Sequence, residues 1–426
     1  MAGSSAITDI VATDAQRLVW ESVIWLDRAA ALPLVVAVLL WLAYDLRDTV
    51  RERGWWWLLA LLGLVGAGAL LRLGVAAQGY FHDAHRGYVL VDGWLQAFDH
   101  GFGDRPVVRS RYGPGATAIY GPLLWAWADE RVLFSFNAWL TAFTVVPVAL
   151  CARWLWSWRF SGLLAAGLYA VWPAGVRLAP SEDCSNLALA LVWVGLWLTA
   201  SLRHRPTLGR ALGAMVAISL AVQTRDSLQP LALLAVGLAI WHVGPALPGR
   251  SWRRLTVATL AFNAAFLWLF VTLIVPGVHR VDAFSVASQA RYWTFWGWTT
   301  ANPVFDPALT PALAIALGMV ALIPRRWWST AASPAGRHVL WLLVGAAVLS
   351  DMLGNLKSMS RTDAYMFHAA WMPLVFLIAE VGAVRLLSSA LWQGRGRLVS
   401  VGLATALFLW PAGWQNMGEH FIDQHE

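Results

Sequence analysis

Residues 79–115 read GYFHDAHRGYVLVDGWLQAFDHGFGDRPVVRSRYGPG, a polar stretch set into a chain that is otherwise mostly apolar. It gathers Asp83, Asp92, Asp99 and Asp104 with His82, His85 and His100, and closes on Arg105, Arg109 and Arg111. An apolar segment at 55–78, long enough to cross a bilayer, leads into it. The apolar piece that follows, 116–128, is too short to cross and starts beside Pro114, so it is expected to form a helix lying at the surface. Carboxylates accept protons and guanidinium groups hold phosphate oxygens. Both sit here where two membrane segments emerge. This stretch therefore reads as the first half of an active site at a membrane surface.

The bulk composition agrees. Of 426 residues, 59% are hydrophobic and only 13% charged, against roughly 25% charged in a soluble domain. The chain is expected to cross the membrane many times rather than carry one anchor. Its net charge of +7 comes almost wholly from arginine, Lys357 being the single lysine. The arginines are dispersed among apolar segments and not gathered on one face, which argues for a membrane partner and against nucleic acid. Cys151 and Cys184 are expected near opposite membrane faces, which excludes a disulfide or a thiolate metal site. The first twenty residues lack the basic and short apolar regions of a cleaved signal, so the first span is expected to be retained.

Candidate spans fall at 29–46, 55–78, 133–154, 161–178, 185–202, 210–225, 228–245, 255–276, 308–324, 338–355, 364–386 and 398–413. The fold class is thus an all-α polytopic membrane protein of about 11–13 transmembrane helices, a single integral domain over 1–426. The short segments at 161–178 and 210–225 are expected to be tilted or broken. Arginines cluster in alternate connections: Arg47, Arg51 and Arg53; Arg153 and Arg159; Arg203, Arg205 and Arg210; then Arg250, Arg325 and Arg385 with their neighbours. The positive-inside rule assigns these to the cytoplasm. Most acidic residues fall on the other side, where the two longest connections also lie: 79–132, with its surface helices, and 277–307. Connections of that length in a compact protein are usually functional. The tryptophan clusters Trp55 to Trp57 and Trp154 to Trp158 are read as an interfacial belt.

Three further segments are expected to converge on the first external loop. Ser181, Glu182 and Asp183 occupy a turn between adjacent spans, and Gln223 to Ser227 another, with Arg225 and Asp226 side by side. Charges at turns that short lie at or below the membrane surface and must be paired or face a wet cavity. Lys357, Arg361, Asp363, Tyr365 and His368 open a later span. Glu380, deep in an apolar span, is expected to be paired within the bundle.

Taken in order, this pattern resembles the GT-C superfamily of membrane glycosyltransferases, in the branch of protein O-mannosyltransferases and the lipid A aminoarabinose transferase. Asp83, Tyr88, Leu95, Gly101 and Tyr112-Gly113-Pro114-Gly115 stand where that branch carries an acid, an aromatic, an amphipathic helix ending in Gly and a Tyr-Pro-Pro-Gly-like element. Gly162 to Pro173 followed by Ser181-Glu182, then Thr224-Arg225 with Pro230, and Arg361 and Tyr365 before Pro373 continue the series. The sequence departs from the family in an added first span and in Ala84, where relatives carry a second acid.

The resemblance implies transfer of a sugar, with inversion, from a polyprenyl-phosphate-linked donor to a lipid, glycan or protein acceptor outside the plasma (inner) membrane. Asp83 is then the general base, with Glu182, Asp183, Arg109, Arg111, Tyr112, Arg225, Asp226, Arg361 and Tyr365 as substrate-binding residues. Some relatives require a divalent metal ion, for which His82 and His85 are the candidates here, although their spacing fits no compact zinc motif. Two other functions compete: a lipid or sugar transporter or flippase, and a GT-C-like envelope assembly subunit without activity. A transporter would place its charges near the middle of paired broken spans. In this chain most lie at span ends.

Overall fold

A computed structural model of the chain describes residues 10–11, 14–76, 107–108, 114–127, 129, 131–156, 161–172, 175–176, 179–181, 184–225 and 231–273, together with Leu377 and Glu380. Ten α-helices run in order through these residues: α1 Asp14–Arg53, α2 Trp55–Ala76, α3 Pro114–Trp127, α4 Arg131–Phe143, α5 Val145–Leu155, α6 Leu163–Val171, α7 Ser185–Ser201, α8 Leu208–Thr224, α9 Leu231–Val243 and α10 Ser251–Leu273. One two-stranded antiparallel ladder accompanies them, β1 Ile10–Val11 against β2 Val107–Val108. By length and composition, Ser22–Arg53, Trp55–Ala76 and the joined α4–α5 segment Arg131–Leu155 suffice to cross a membrane. Their outward residues are large and apolar, for example Leu32, Leu40, Leu59 and Leu70. Such a face is solvated by lipid.

The helices can be set beside the expected spans. The first span is not confined to 29–46. Its crossing segment runs Ser22–Arg53 and its helix starts at Asp14, because Glu21, Asp27 and Arg28 break the apolar run without breaking the helix. The segment 161–178 is broken, in line with its expectation: α6 ends at Val171, one residue before Trp172-Pro173, since the residue before proline is pushed out of the helical region. The expected span 133–154 matches the crossing segment Arg131–Leu155, within which α4 and α5 meet at Thr144. Pro147 cannot donate to the Phe143 carbonyl four residues back, and at the junction the Leu140 carbonyl accepts from both the Thr144 N–H (2.9 Å) and the Thr144 hydroxyl (2.7 Å). The 210–225 segment, by contrast, is an unbroken helix. The spans beyond 276 lie outside the described residues.

The tryptophan belt also needs revision. Trp55 is exposed, but Trp57, two residues on, points inward and is fully buried. Trp154 and Trp156 are buried too, alongside Trp193 and Trp197 in the main core. Bulky indoles fill the gaps left where helices approach closely. The most extensive helix pair is α7 on α8, where a Cβ on Gly195 would stand 2.5 Å from the Ile218 side chain.

The arginine-rich end of the bundle is locked by a buried ion cluster. Asp45 of α1 is fully buried. Arg210 reaches its two carboxylate oxygens from Nη1 and Nη2 (3.0 and 2.7 Å), and Arg205 adds a third guanidinium bond (2.9 Å). The indoles of Trp197 and Trp154 donate as well (3.0 and 3.3 Å). Arg205 also bridges to Asp48 and stacks on Tyr44, while Arg153 pairs with Glu52 (2.6 Å). Glu380 is held in the bundle as expected, but by backbone. It accepts from the N–H groups of Gly162 (2.6 Å) and Ala165 (2.9 Å), so it caps the start of α6, where such donors otherwise go unsatisfied.

Candidate functional site

At the opposite end, the described parts of three predicted segments meet. The start of α3 continues the 79–113 stretch, and its Gly115 is seated on the last turn of α8. A Cβ added there would lie 2.5 Å from Thr224 Oγ1 and 2.7 Å from the Leu220 carbonyl oxygen. No side chain fits without separating the two helices. The start of α7 reaches the same residue, the Cys184 thiol donating to the Thr224 carbonyl (3.5 Å). Thr224 is thus the common contact of the segments that carry Tyr112 to Gly115, Ser181 to Asp183 and Gln223 to Asp226.

A second set of bonds fixes the same convergence one layer deeper. Ala116, Tyr120 and Leu124 form the buried stripe of α3 at helical spacing. The Tyr120 hydroxyl donates to Asn137 Oδ1 of α4 (2.6 Å), and Asn137 Nδ2 donates to the Ser181 carbonyl (2.7 Å). Both side chains are fully buried, so each polar atom needs its partner. The chain from α3 through α4 to Ser181 therefore sets where the turn bearing Glu182 and Asp183 begins. Nearby, Arg72 of α2 is fully buried and donates to the carbonyls of Ala170 (2.7 Å) and Tyr169 (3.2 Å) at the end of α6. A cation at a helix C-terminus satisfies exposed carbonyls and complements the dipole.

Of the predicted site residues, Arg225 is described. It is the first residue past α8, extended at φ −132° and ψ 124°, with its N–H still bonded to the Ala221 carbonyl (3.1 Å). It is 6% exposed, so its side chain is buried at the end of α8. Asp83, Glu182, Asp183, Arg109, Arg111, Tyr112, Asp226, Arg361 and Tyr365 lie outside the described residues, as do His82 and His85. Four of these have described neighbours: Ser181 precedes Glu182, Cys184 follows Asp183, Arg225 precedes Asp226, and β2 ends one residue before Arg109. Among the described residues no group of three or more His, Cys, Asp or Glu comes together.

Sequence reading passed over Asp27, Arg72, Tyr120 and Asn137. Only the two charges had a usable signal, as isolated ionisable residues inside apolar runs.

The Gly115 contact gives a direct test of the junction. Gly115→Val forces α3 off α8 while leaving the α3–α4–Ser181 bonds in place. A displacement of about 1 Å can cost on the order of a hundredfold in rate. Whatever reaction the site performs should fall by roughly ten- to a hundredfold, with detergent-extracted protein still monodisperse.

No protein-family model matches the chain, and no curated protein matches it in sequence. Among solved structures it is similar to the apo form of the oligosaccharyltransferase of Archaeoglobus fulgidus, at a TM-score of 0.52 and 12% identity over 86% of this chain. The oligosaccharyltransferase AglB of Archaeoglobus fulgidus in complex with an inhibitory peptide and a dolichol-phosphate also aligns, at a TM-score of 0.43 and 13% identity over 87% of this chain. The chain spans 56% of the length of each. The first likeness gives the fold, the helical fold of that oligosaccharyltransferase.

Proposed function

We propose that the protein transfers a sugar from a polyprenyl-phosphate-linked donor to an acceptor at the extracytoplasmic face of the plasma membrane, inverting the anomeric carbon. The observation that carries this reading is the junction at Thr224. There Gly115, which ends the acidic stretch, and Cys184, which follows Asp183, both meet Thr224, which precedes Arg225, in a chain with the oligosaccharyltransferase fold.

In the proposed reaction the acceptor oxygen attacks the anomeric carbon as the bond from that carbon to the lipid phosphate breaks. Asp83 takes the acceptor's proton, and polyprenyl phosphate leaves with the bonding electrons. The charge that develops on the phosphate is held by Arg225 with Arg109, Arg111 and Arg361, where preorganised cations count most because little water competes. Glu182, Asp183, Asp226, Tyr112 and Tyr365 bind hydroxyls of the sugar and acceptor.

The test is reconstitution in nanodiscs with a panel of labelled polyprenyl-phosphate sugars, beside nucleotide sugars as controls. Transfer from the lipid donor alone, with a product of opposite anomeric configuration by NMR, is the expected result. Transfer from the nucleotide sugar, or movement of intact lipid-linked sugar across vesicles without cleavage, would overturn it.

A further inference from the structure

One buried carboxylate near the loop end has no part in the reaction above. Asp27 belongs to α1 and is 4% exposed. Val23 and Ile24, one turn earlier on the same face, are equally buried and apolar, so an apolar residue would suit position 27 for packing alone. A charge buried at that depth costs several kcal/mol unless it is bonded. Its partner is Gln223, fully buried in the last turn of α8. With the amide turned so that nitrogen faces the carboxylate, as donor and acceptor chemistry requires, that nitrogen donates to both Asp27 oxygens at 2.7 and 3.1 Å. Gln223 precedes Thr224, the junction residue, and Arg225, the buried cation that follows α8.

The N-terminal arm grips the other arginine-bearing segment as well. β1 pairs with β2 in the register Ile10 to Val108 and Val11 to Val107, immediately ahead of Arg109 and Arg111. Between these two grips, α1 packs along α3 and α8. We propose that Asp27 is a positioning residue for lipid-phosphate binding: through Gln223 it fixes the end of α8, so that Arg225 is held ready for the phosphate oxygens. This rests on the reading of Arg225 as a phosphate ligand given above. An apolar pair at 27 and 223 would join α1 to α8 equally well but would leave the last turn free to rotate. The polar pair has direction, and direction is what a ligand-bearing helix end needs.

The experiment measures binding of undecaprenyl phosphate to the full chain in nanodiscs, alongside thermal stability. Asp27→Ala is expected to weaken binding about tenfold, and Asp27→Asn, which keeps an acceptor of the same size, to restore most of it. The double variant Asp27→Leu/Gln223→Leu is expected to be as heat-stable as the parent, since replacing both partners of a buried bond by apolar groups is nearly neutral, yet still to bind about tenfold more weakly. Adding Asp27→Ala to Arg225→Ala should cause no further loss, because Asp27 acts through Arg225.

Unchanged binding in the Leu/Leu variant, or a full additive loss in the Asp27→Ala/Arg225→Ala pair, overturns the proposal. A parent protein that binds the lipid phosphate but transfers no sugar would defeat the reaction and leave the role of Asp27 readable. One that transfers sugar while Asp27→Ala binds normally would defeat this inference alone. A parent that binds no lipid phosphate would defeat both.

Discussion

Asp45→Ala is expected to destabilise the protein by about 3–5 kcal/mol, the range found when one partner of a buried ion pair is removed. The variant leaves Arg210, 3% exposed, without the carboxylate that takes two of its hydrogen bonds. The indoles of Trp154 and Trp197 lose their acceptor at the same time. Arg205 loses least, because it keeps Asp48. A loss of that size shows as a large drop in the folded fraction recovered after brief heating in detergent. The matched double variant Asp45→Met/Arg210→Met removes both buried charges and is expected to recover most of the stability, since an apolar pair of similar volume often equals or exceeds a buried ion pair. If the single and double variants were equally damaged, the cluster would owe its effect to shape rather than to charge.

Asp83→Asn is expected to lower sugar transfer by about 10²–10⁴-fold, the usual contribution of a positioned base. The amide keeps the size and hydrogen-bonding reach of the carboxylate but cannot take the acceptor's proton. Binding of the donor lipid should change little, because its phosphate is assigned to the arginines, so the loss should appear in kcat. The measurement is steady-state transfer with purified variant in nanodiscs, beside its heat stability. Retention of activity by a folded Asp83→Asn protein would remove the general base from the proposed reaction.

The sequence made legible whatever depends on runs of similar residues. The apolar lengths located α2, α7, α8 and α10 to within a few residues. The proline after Trp172 explains the early end of α6 and was already visible. Features set by pairs distant along the chain were not legible. Asp45 meets Arg205 and Arg210 across 160 and 165 positions, and nothing near Asp45 distinguishes it from a solvated carboxylate at a span end. The same holds for Tyr120 and Asn137, which read as ordinary members of apolar helices until Ser181 is brought beside them. Trp57 and Trp154 misled for a different reason: clustered tryptophans suit a headgroup layer and a tight helical core alike, and periodicity within three residues cannot separate the two. Of the candidate site, the sequence supplied the segments. The contacts at Thr224 supplied their meeting point, through a glycine whose importance lies in having no side chain.

The cap on α6 bears on how the molecule is made. Glu380 lies 218 residues beyond the Gly162 amide that it satisfies, and at ribosomal rates of about 5–20 residues per second that is roughly 10–40 s of further synthesis. Throughout that interval the foot of α6 has two donors and no carboxylate to accept from them. Early helices therefore enter the bilayer as a provisional assembly, and it is the arrival of a late acid that seals them.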